Sequence, residues 1–443
     1  MSDLPPELLE KIRQQFEFSP YPKTPLEQSP KDNVNLLFIH NLVTSFYLKD
    51  QRVVQTQGKF ILDAGCGSGY KSLVLAVANP GATIIGIDLS EESVDLARKR
   101  LEYHGFDDLR FHALAIEDLP QLNVTFDYIN CDEVLYLTPD PTTALKAMAS
   151  VLRPGGILRT NLHSYYQRIP YFRAQQIFKM MGLMDESPKD LEAEIVGDIM
   201  RALKGQVRTK LETWEAQHEG EQGKASILMN YLLQGDKGYT VPEMFSALKA
   251  ADLEFLSMVN WRSWEILELF QNPNELPMLL EMGLPDLTVE ERLQLFDLLH
   301  PVHRLLDFWC AHPGQAQQPR LIQDWQASDW QNVQVHLHPQ LKTESLRQEL
   351  RDAIITQRPF EISKYLTAAV GGAILLDTIS ASCILLLWDA PVAFPRLVDH
   401  WLKLKPLDLL TLQPTTETEA QIQLQQLLTR LETFLYVLLE IQS

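Results

Sequence analysis

The chain has 443 residues, and 39 Lys and Arg stand against 58 Asp and Glu for a net charge of −19. Such a length exceeds what a single core usually spans, and 45% hydrophobic with 22% charged residues is the composition of folded globular proteins rather than of disordered or fibrous ones. No block of basic residues stands out of that acidic balance, so a phosphate-tracking surface is excluded and no nucleic-acid partner is expected.

The N-terminal "MSDLPPELLEKIRQQFEF" has neither a basic leader region nor an apolar core, which predicts an unsecreted, cytoplasmic protein. The four cysteines, Cys66, Cys131, Cys310 and Cys383, form no C-x-x-C pair, so a reduced compartment and no bound metal are expected. Residues 16–37, "FEFSPYPKTPLEQSPKDNVNLL", are rich in proline and aromatic residues and read as extended. Residues 1–58 are taken together as a segment preceding the first strand.

From 59 to about 162, short β-branched runs alternate with segments of helical period, the pattern of a parallel sheet with crossover helices. "KFILDA", "ATIIGID", "LRFHALA", "FDYINCD" and "GILRTNL" are its five strands in order. Ser90 caps the helix "EESVDLARKRLEY", which stops at Gly105, and Pro154-Gly155-Gly156 closes "PTTALKAMASVL". Residues 165–239 then read as a helical insertion, far longer than an ordinary connection and so expected to cover a site. "TVPEMFSALKAADLEFLSMVNW" returns to helix then strand and ends the first domain at 262. Residues 263–443 read as a second, mixed but mainly helical unit. Within it "YLTAAVGGAILLDTISASCILLLW" (365–388) is long enough to span a bilayer, but Asp377 near its middle argues against that, and two buried strands around a turn are expected.

The chemistry centres on "DAGCGSGYKS" (63–72), a glycine loop between a strand and a helix, where backbone N–H groups can approach a ligand. Lys71-Ser72 follows the loop, yet the glycine spacing is wrong for a phosphate-binding loop. A dinucleotide loop requires glycine where Tyr70 stands. The pattern present is D-x-G-x-G-x-G, and Asp88 ends the next strand with a carboxylate able to accept both hydroxyls of a ribose.

Taken together, "LDAGCGSG", "IIGIDLS", "FDYINCDEVLYL" and "LRPGGIL" resemble the class I S-adenosylmethionine-dependent methyltransferases, over residues 59–162 and more loosely 240–262. The resemblance implies a Rossmann-like seven-stranded α/β sheet and S-adenosylmethionine as cofactor. It implies a cofactor site of Asp63, Gly65, Cys66, Gly67, Gly69, Asp88, Leu89, Ile116, Glu117, Cys131 and Glu133. Ala115 stands where many members carry an adenine-binding Asp, which leaves that contact to Glu117 or to backbone. The N-terminal segment would fold over the cofactor, with Tyr21 and Tyr47 closing the pocket. Cys66 and Cys131 read as small packing residues rather than nucleophiles, since no base neighbours them in sequence.

Methyl transfer from a sulfonium needs alignment and a dry site, and a base only where the acceptor is protonated. Asp132, Asn161 and His163 are the candidate catalytic residues, with Glu133 and Tyr165 beside them. Residues 227–256 and "WLKLKPLDLLTL" loosely resemble bacterial methyltransferases with a regulatory domain, some of which modify protein side chains. A nitrogen of a protein is therefore the expected acceptor. A small metabolite, or a non-catalytic cofactor-binding protein whose second half is an interaction module, are the alternatives.

Overall fold

The computed structural model describes residues 24–108, 110–315, 320–368, 372–408 and 410–442, and leaves the side chains of residues 221 and 222 undescribed. Tyr21 lies outside them. Asn33 starts helix α1 (Val34–His40) by accepting the Leu36 N–H, so the stretch read as extended turns helical at its end. Asn41 then caps α2 (Leu42–Asp50) in the same way.

Seven strands build the central sheet in the order β3-β2-β1-β4-β5-β7-β6. They are β1 (Phe60–Ala64), β2 (Thr83–Asp88), β3 (Arg110–Ala113), β4 (Phe126–Cys131), β5 (Leu152–His163), β6 (Glu254–Met258) and β7 (Leu305–Ala311). The first five are parallel, and β7 runs antiparallel between β5 and β6. This is the Rossmann-like sheet expected, but the boundary drawn at residue 262 falls inside it. The strand that locks β6 to β5 comes from residues 305–311, which the sequence reading had placed in the second unit. Buried on both faces, a central strand such as "LLDFWCA" carries no alternation to announce it.

Crossover helices α3 (Tyr70–Ala78), α4 (Glu91–Tyr103) and α5 (Pro141–Val151) cover the parallel part. The insertion after β5 is helical as expected: α6 (Tyr165–Met180), α7 (Asp190–Ala202), α8 (Arg208–Thr213) and α9 (Gly220–Asn230), around a small core of Tyr171, Phe178, Val196, Met200 and Tyr231. Then follow α10 (Val241–Ala250), α11 (Met278–Gly283) and α12 (Val289–Leu299).

The C-terminal unit packs α13 (Ala327–Gln331), α14 (Glu344–Ile355), α15 (Thr378–Leu386), α16 (Phe394–Leu404) and α17 (Glu417–Glu432) around a three-stranded sheet. That sheet has the order β11 (Val392–Ala393), β8 (Val333–Leu337), β12 (Val437–Ile441). The stretch 365–388 is not two strands. Among its described residues only Leu375–Leu376 (β10) pairs, with Phe360–Glu361 (β9), and Asp377 accepts the Ser380 N–H at 2.7 Å to cap α15. The carboxylate that argues against a membrane span is thus a helix cap, which outweighs β-branched propensity here. No described helix is long and apolar enough to cross a membrane.

The two units share the α1–α2 hairpin. Phe38, Val43 and Tyr47 join the C-terminal core, whereas Leu42 and Phe46 pack on the central sheet with Ile61, Tyr128, Ile157 and Trp309. Thr44 Oγ1 lies 3.0 Å from His338 Nε2, and Tyr47 donates to Glu432 and accepts from Leu439 N–H, both at 3.0 Å. Tyr47 is therefore a bolt between the units and not a gate to the cofactor pocket.

Candidate active site

One face of the sheet changes character along its strands. Near the N-terminal ends of β1, β4 and β5 stand Ile61, Tyr128 and Ile157, and toward the carboxyl ends the same face presents Asp63, Asn130, Asp132, Arg159 and Asn161, with Asp307 on β7. Carboxyl ends of parallel strands are where α/β sheets bind ligands. The site divides there into a glycine edge and an acceptor edge.

At the glycine edge, Gly65, Gly67 and Gly69 hold φ of 79°, 49° and 80°. Those left-handed conformations admit glycine readily and other residues at a cost. A Cβ on Gly65 would stand 2.4 Å from the Val134 side chain, and one on Gly69 2.5 Å from the Ala97 Cα. Bare backbone thus lets the loop touch the segment after β4 and lets α3 begin against α4. Gly65 and Cys66 both donate to the Ile87 carbonyl at 2.8 Å. Asp88 accepts from Gly67 N–H at 2.9 Å and from Ser90 N–H at 3.0 Å, while burial raises its pKa. Leu89 beside it is 68% exposed.

Asp63 lies beneath the loop, taking Ser72 Oγ–H at 2.6 Å and Asn130 Nδ2–H at 2.9 Å, and burial pushes its carboxyl up to about 6. These bonds tie it to the start of α3 and to β4. Ile116 is buried and Glu117 exposed just after β3, with Ala115 preceding them. The thiols of Cys66 and Cys131 are buried, and burial raises both pKa values, that of Cys131 to about 12. Both side chains pack in hydrophobic clusters.

The acceptor edge is built from charges. Burial would raise the pKa of Asp132, but Arg159 and Lys71 hold it well below the usual carboxylate range. Lys71 Nζ stands at 2.6 Å and Arg159 Nη2 at 3.4 Å, and Asn161 Nδ2–H donates at 2.6 Å. Arg159 also binds Asp307 at 2.7 Å, Asn130 at 3.1 Å and His40 Nε2 at 2.7 Å. Asn161 spends its carbonyl on Glu133 N–H at 2.9 Å. That bond pins Glu133 at φ 60°, a conformation uncommon outside glycine and found at constrained functional positions.

Glu133, which the resemblance implied as a cofactor residue, is engaged by protein partners. Its carboxylate takes a forked pair from Arg304, at 2.6 and 3.0 Å, and the Tyr136 hydroxyl at 3.4 Å. His163, proposed from sequence as a base, stacks on Tyr136 with ring centroids 3.7 Å apart. Its Nδ1 lies 2.8 Å from Asp236 and its Nε2 3.3 Å from the Arg304 guanidinium. Since guanidinium can only donate, the imidazole is neutral with its proton on Nδ1. Burial, which outweighs Asp236, lowers its pKa to about 4. Asp236 further accepts from Arg168 and Gln175.

The sequence reading therefore named Asp132, Glu133, Asn161 and His163 together correctly as neighbours, but missed their partners Lys71, Arg159, Asp236, Arg304 and Asp307. One signal was present: Arg159 in "GILRTNL" is an arginine inside a strand read as buried, which demands a carboxylate nearby. Among the described residues no cluster of His, Cys, Asp and Glu could hold a metal ion.

Residues 55–231 match the family described as a methyltransferase domain. The ubiquinone biosynthesis O-methyltransferase of Coxiella burnetii is 34% identical over 130 residues, 29% of this chain and 53% of that enzyme. The chain thus spans about half the length of that relative. The uncharacterized protein syc1184_c of Synechococcus sp. is 26% identical over 334 residues, 74% of this chain and 76% of that protein. Among solved structures, PKMT2 from Rickettsia typhi superposes with a TM-score of 0.59 at 16% identity, over 94% of this chain and 76% of that one. Its complex with AdoHcy gives 0.57 at 17% identity, over 91% and 75%.

With the sheet order, the glycine loop and Asp88 in place, these similarities make the domain that of a class I S-adenosylmethionine-dependent methyltransferase. S-adenosylmethionine is its cofactor.

Proposed function

We propose that the protein transfers the methyl group of S-adenosylmethionine to a nitrogen of a protein side chain, in the cytoplasm. The observation that carries the choice of a macromolecular acceptor is a polar cleft of about 790 Å³ where the two units meet the start of α3. Lys31, Asn33, Tyr70, Gln340, Lys364 and Thr367 line it, groups suited to hydrogen-bonding a polypeptide rather than to burying an apolar metabolite. The likeness in fold to PKMT2 extends over 94% of this chain, so most of the C-terminal unit is shared with that protein.

Bound S-adenosylmethionine supplies a methyl carbon already activated by its sulfonium leaving group. The chain's residues then have to bind, orient and exclude water. Asp88 is in place to accept the ribose hydroxyls, and the glycine backbone to pass close to the methionine portion. Leu89, Ile116 and Glu117 would border the adenine ring. Asp132, neutralised by Lys71 and Arg159, and Asn161 fix the segment that carries Glu133. His163, neutral and bonded at both nitrogens, serves as a positioning residue. A small-molecule acceptor is the second reading, favoured by the similarity to O-methyltransferases of ubiquinone biosynthesis.

Incubating the protein with S-adenosylmethionine labelled in its methyl group and a lysate of the source organism separates the two. Label retained in a protein band on a denaturing gel is expected. Label only in the small-molecule fraction would establish the metabolite reading, and cofactor binding with no transfer would mark a non-catalytic binding protein.

A further inference from the structure

The charges at the acceptor edge are unequal in freedom, and that inequality selects the acceptor. Glu133 is held at its backbone and is the more enclosed of its ion pair: its N–H is bonded to Asn161 at 2.9 Å, its backbone sits at φ 60°, the next residue, Val134, lies against the glycine loop at Gly65, and its side chain is 24% exposed. Its partner Arg304 has a fixed backbone, because its carbonyl accepts Ser164 N–H at 2.9 Å, but its long side chain is 40% exposed. Of this pair the guanidinium is the member an incoming group can displace.

We propose that Glu133 is the subsite for a cationic acceptor, a primary ammonium, and that Arg304 is its resting counter-ion. The proposal rests on the methyltransferase reading and narrows it to an amine substrate. An anionic acceptor would need the opposite exchange, expelling the pinned carboxylate from Arg304. It would also approach against a net charge of −19, which draws cations in. The ammonium held on Glu133 releases one proton to bulk water and so exposes the nitrogen lone pair. The lone pair forms the N–C bond as the S–C bond breaks, and its electron pair stays on sulfur. The displaced Arg304 keeps His163 Nε2, 3.3 Å from Nη1, as a hydrogen-bond acceptor, and its 40% exposed side chain leaves the charge to water.

The test uses the full chain at saturating S-adenosylhomocysteine, whose own binding is first measured by calorimetry. Ligand-observed NMR then follows n-butylammonium, with n-butanol and butyrate as neutral and anionic controls. Butylammonium is expected to bind in preference to both. Glu133→Gln should weaken it by about tenfold or more, the worth of a hydrogen bond to a charged group, while Arg304→Met should strengthen it by removing the competitor. Preference for butyrate, indifference to charge, or loss of amine binding in Arg304→Met would each overturn the proposal. The wild-type preference stands as a test even where a variant fails to fold. S-adenosylhomocysteine bound without a preference for the cation defeats the acceptor assignment alone. Failure of a folded protein to bind S-adenosylhomocysteine defeats the methyltransferase reading and this proposal with it.

Discussion

The glycine edge and the acceptor edge lie side by side on one sheet yet are made in different ways. At the first, contacts run through backbone and join residues close in sequence: Gly67 to Asp88, and Gly65 and Cys66 to Ile87. At the second, side-chain charges from residues 71, 132, 133, 159, 168, 236, 304 and 307 meet inside the fold, with His40 as a neutral acceptor for Arg159. A ligand common to a whole family is met by short-range backbone geometry, and the part that individualises this chain by long-range charge pairing. Pinning charges this way is expensive, since each buried ion needs its partner in place.

The comparison breaks most severely if the acceptor edge can be cut away. A chain ended at residue 262 lacks Leu305–Ala311, the strand between β5 and β6, and leaves Arg159 without Asp307. It is expected to be unfolded by circular dichroism and by denaturant titration. A folded product that binds S-adenosylhomocysteine would show the glycine edge to be independent of everything after β6.

Within the intact chain, Asp236→Ala should destabilise by about 3–5 kcal/mol, because it strands the buried Arg168 guanidinium. Arg168 and Asp236 are both 0% exposed in their side chains. If enough protein folds, its calorimetric affinity for S-adenosylhomocysteine should match wild type. A parallel loss would mean that the two edges act as one network.

His163 sharpens the comparison through pH. Its folded pKa of about 4 lies below the ordinary histidine value, so the unfolded chain binds the proton first as pH falls. Stability is full above the unfolded value and declines through the window down to about 4, by at most about 3 kcal/mol. Asp63, raised to about 6, works with the opposite sign: its ionised form is penalised in the fold, so it adds stability as pH drops through that value. His163→Asn, which keeps a donor for Asp236, should flatten the acid-side decline in denaturant titrations across this range. An unchanged slope would place the decline elsewhere.

The smallest effect belongs to the glycine edge. Asp88→Ala should cost about 1.5–3 kcal/mol in S-adenosylhomocysteine binding, the worth of hydrogen bonds to a charged group, and little in melting temperature. Wild-type affinity in this variant would remove the carboxylate from the ribose site.

Local spacing was enough to write down the first five strands, the helical insertion and the glycine edge, because a loop, a cap and a strand end are decided within a few residues. Gly65, Gly67, Gly69 and Asp88 stand where their pattern put them. The same locality explains the failures. Residues 365–388 were read by hydrophobicity alone, and behind a cap bond at Asp377 nine of them, Thr378–Leu386, form a helix. Tyr47 was placed by nearness in sequence to a cap segment, and long-range burial took it 385 positions away to Glu432. The last strand of the sheet, the pairing of Arg159 with Asp307 and the clasp of Arg304 on Glu133 carried no local signal. Only tertiary structure decided them, because charges and strand neighbours that meet across 150 residues are selected by their partners and not by the chain on either side.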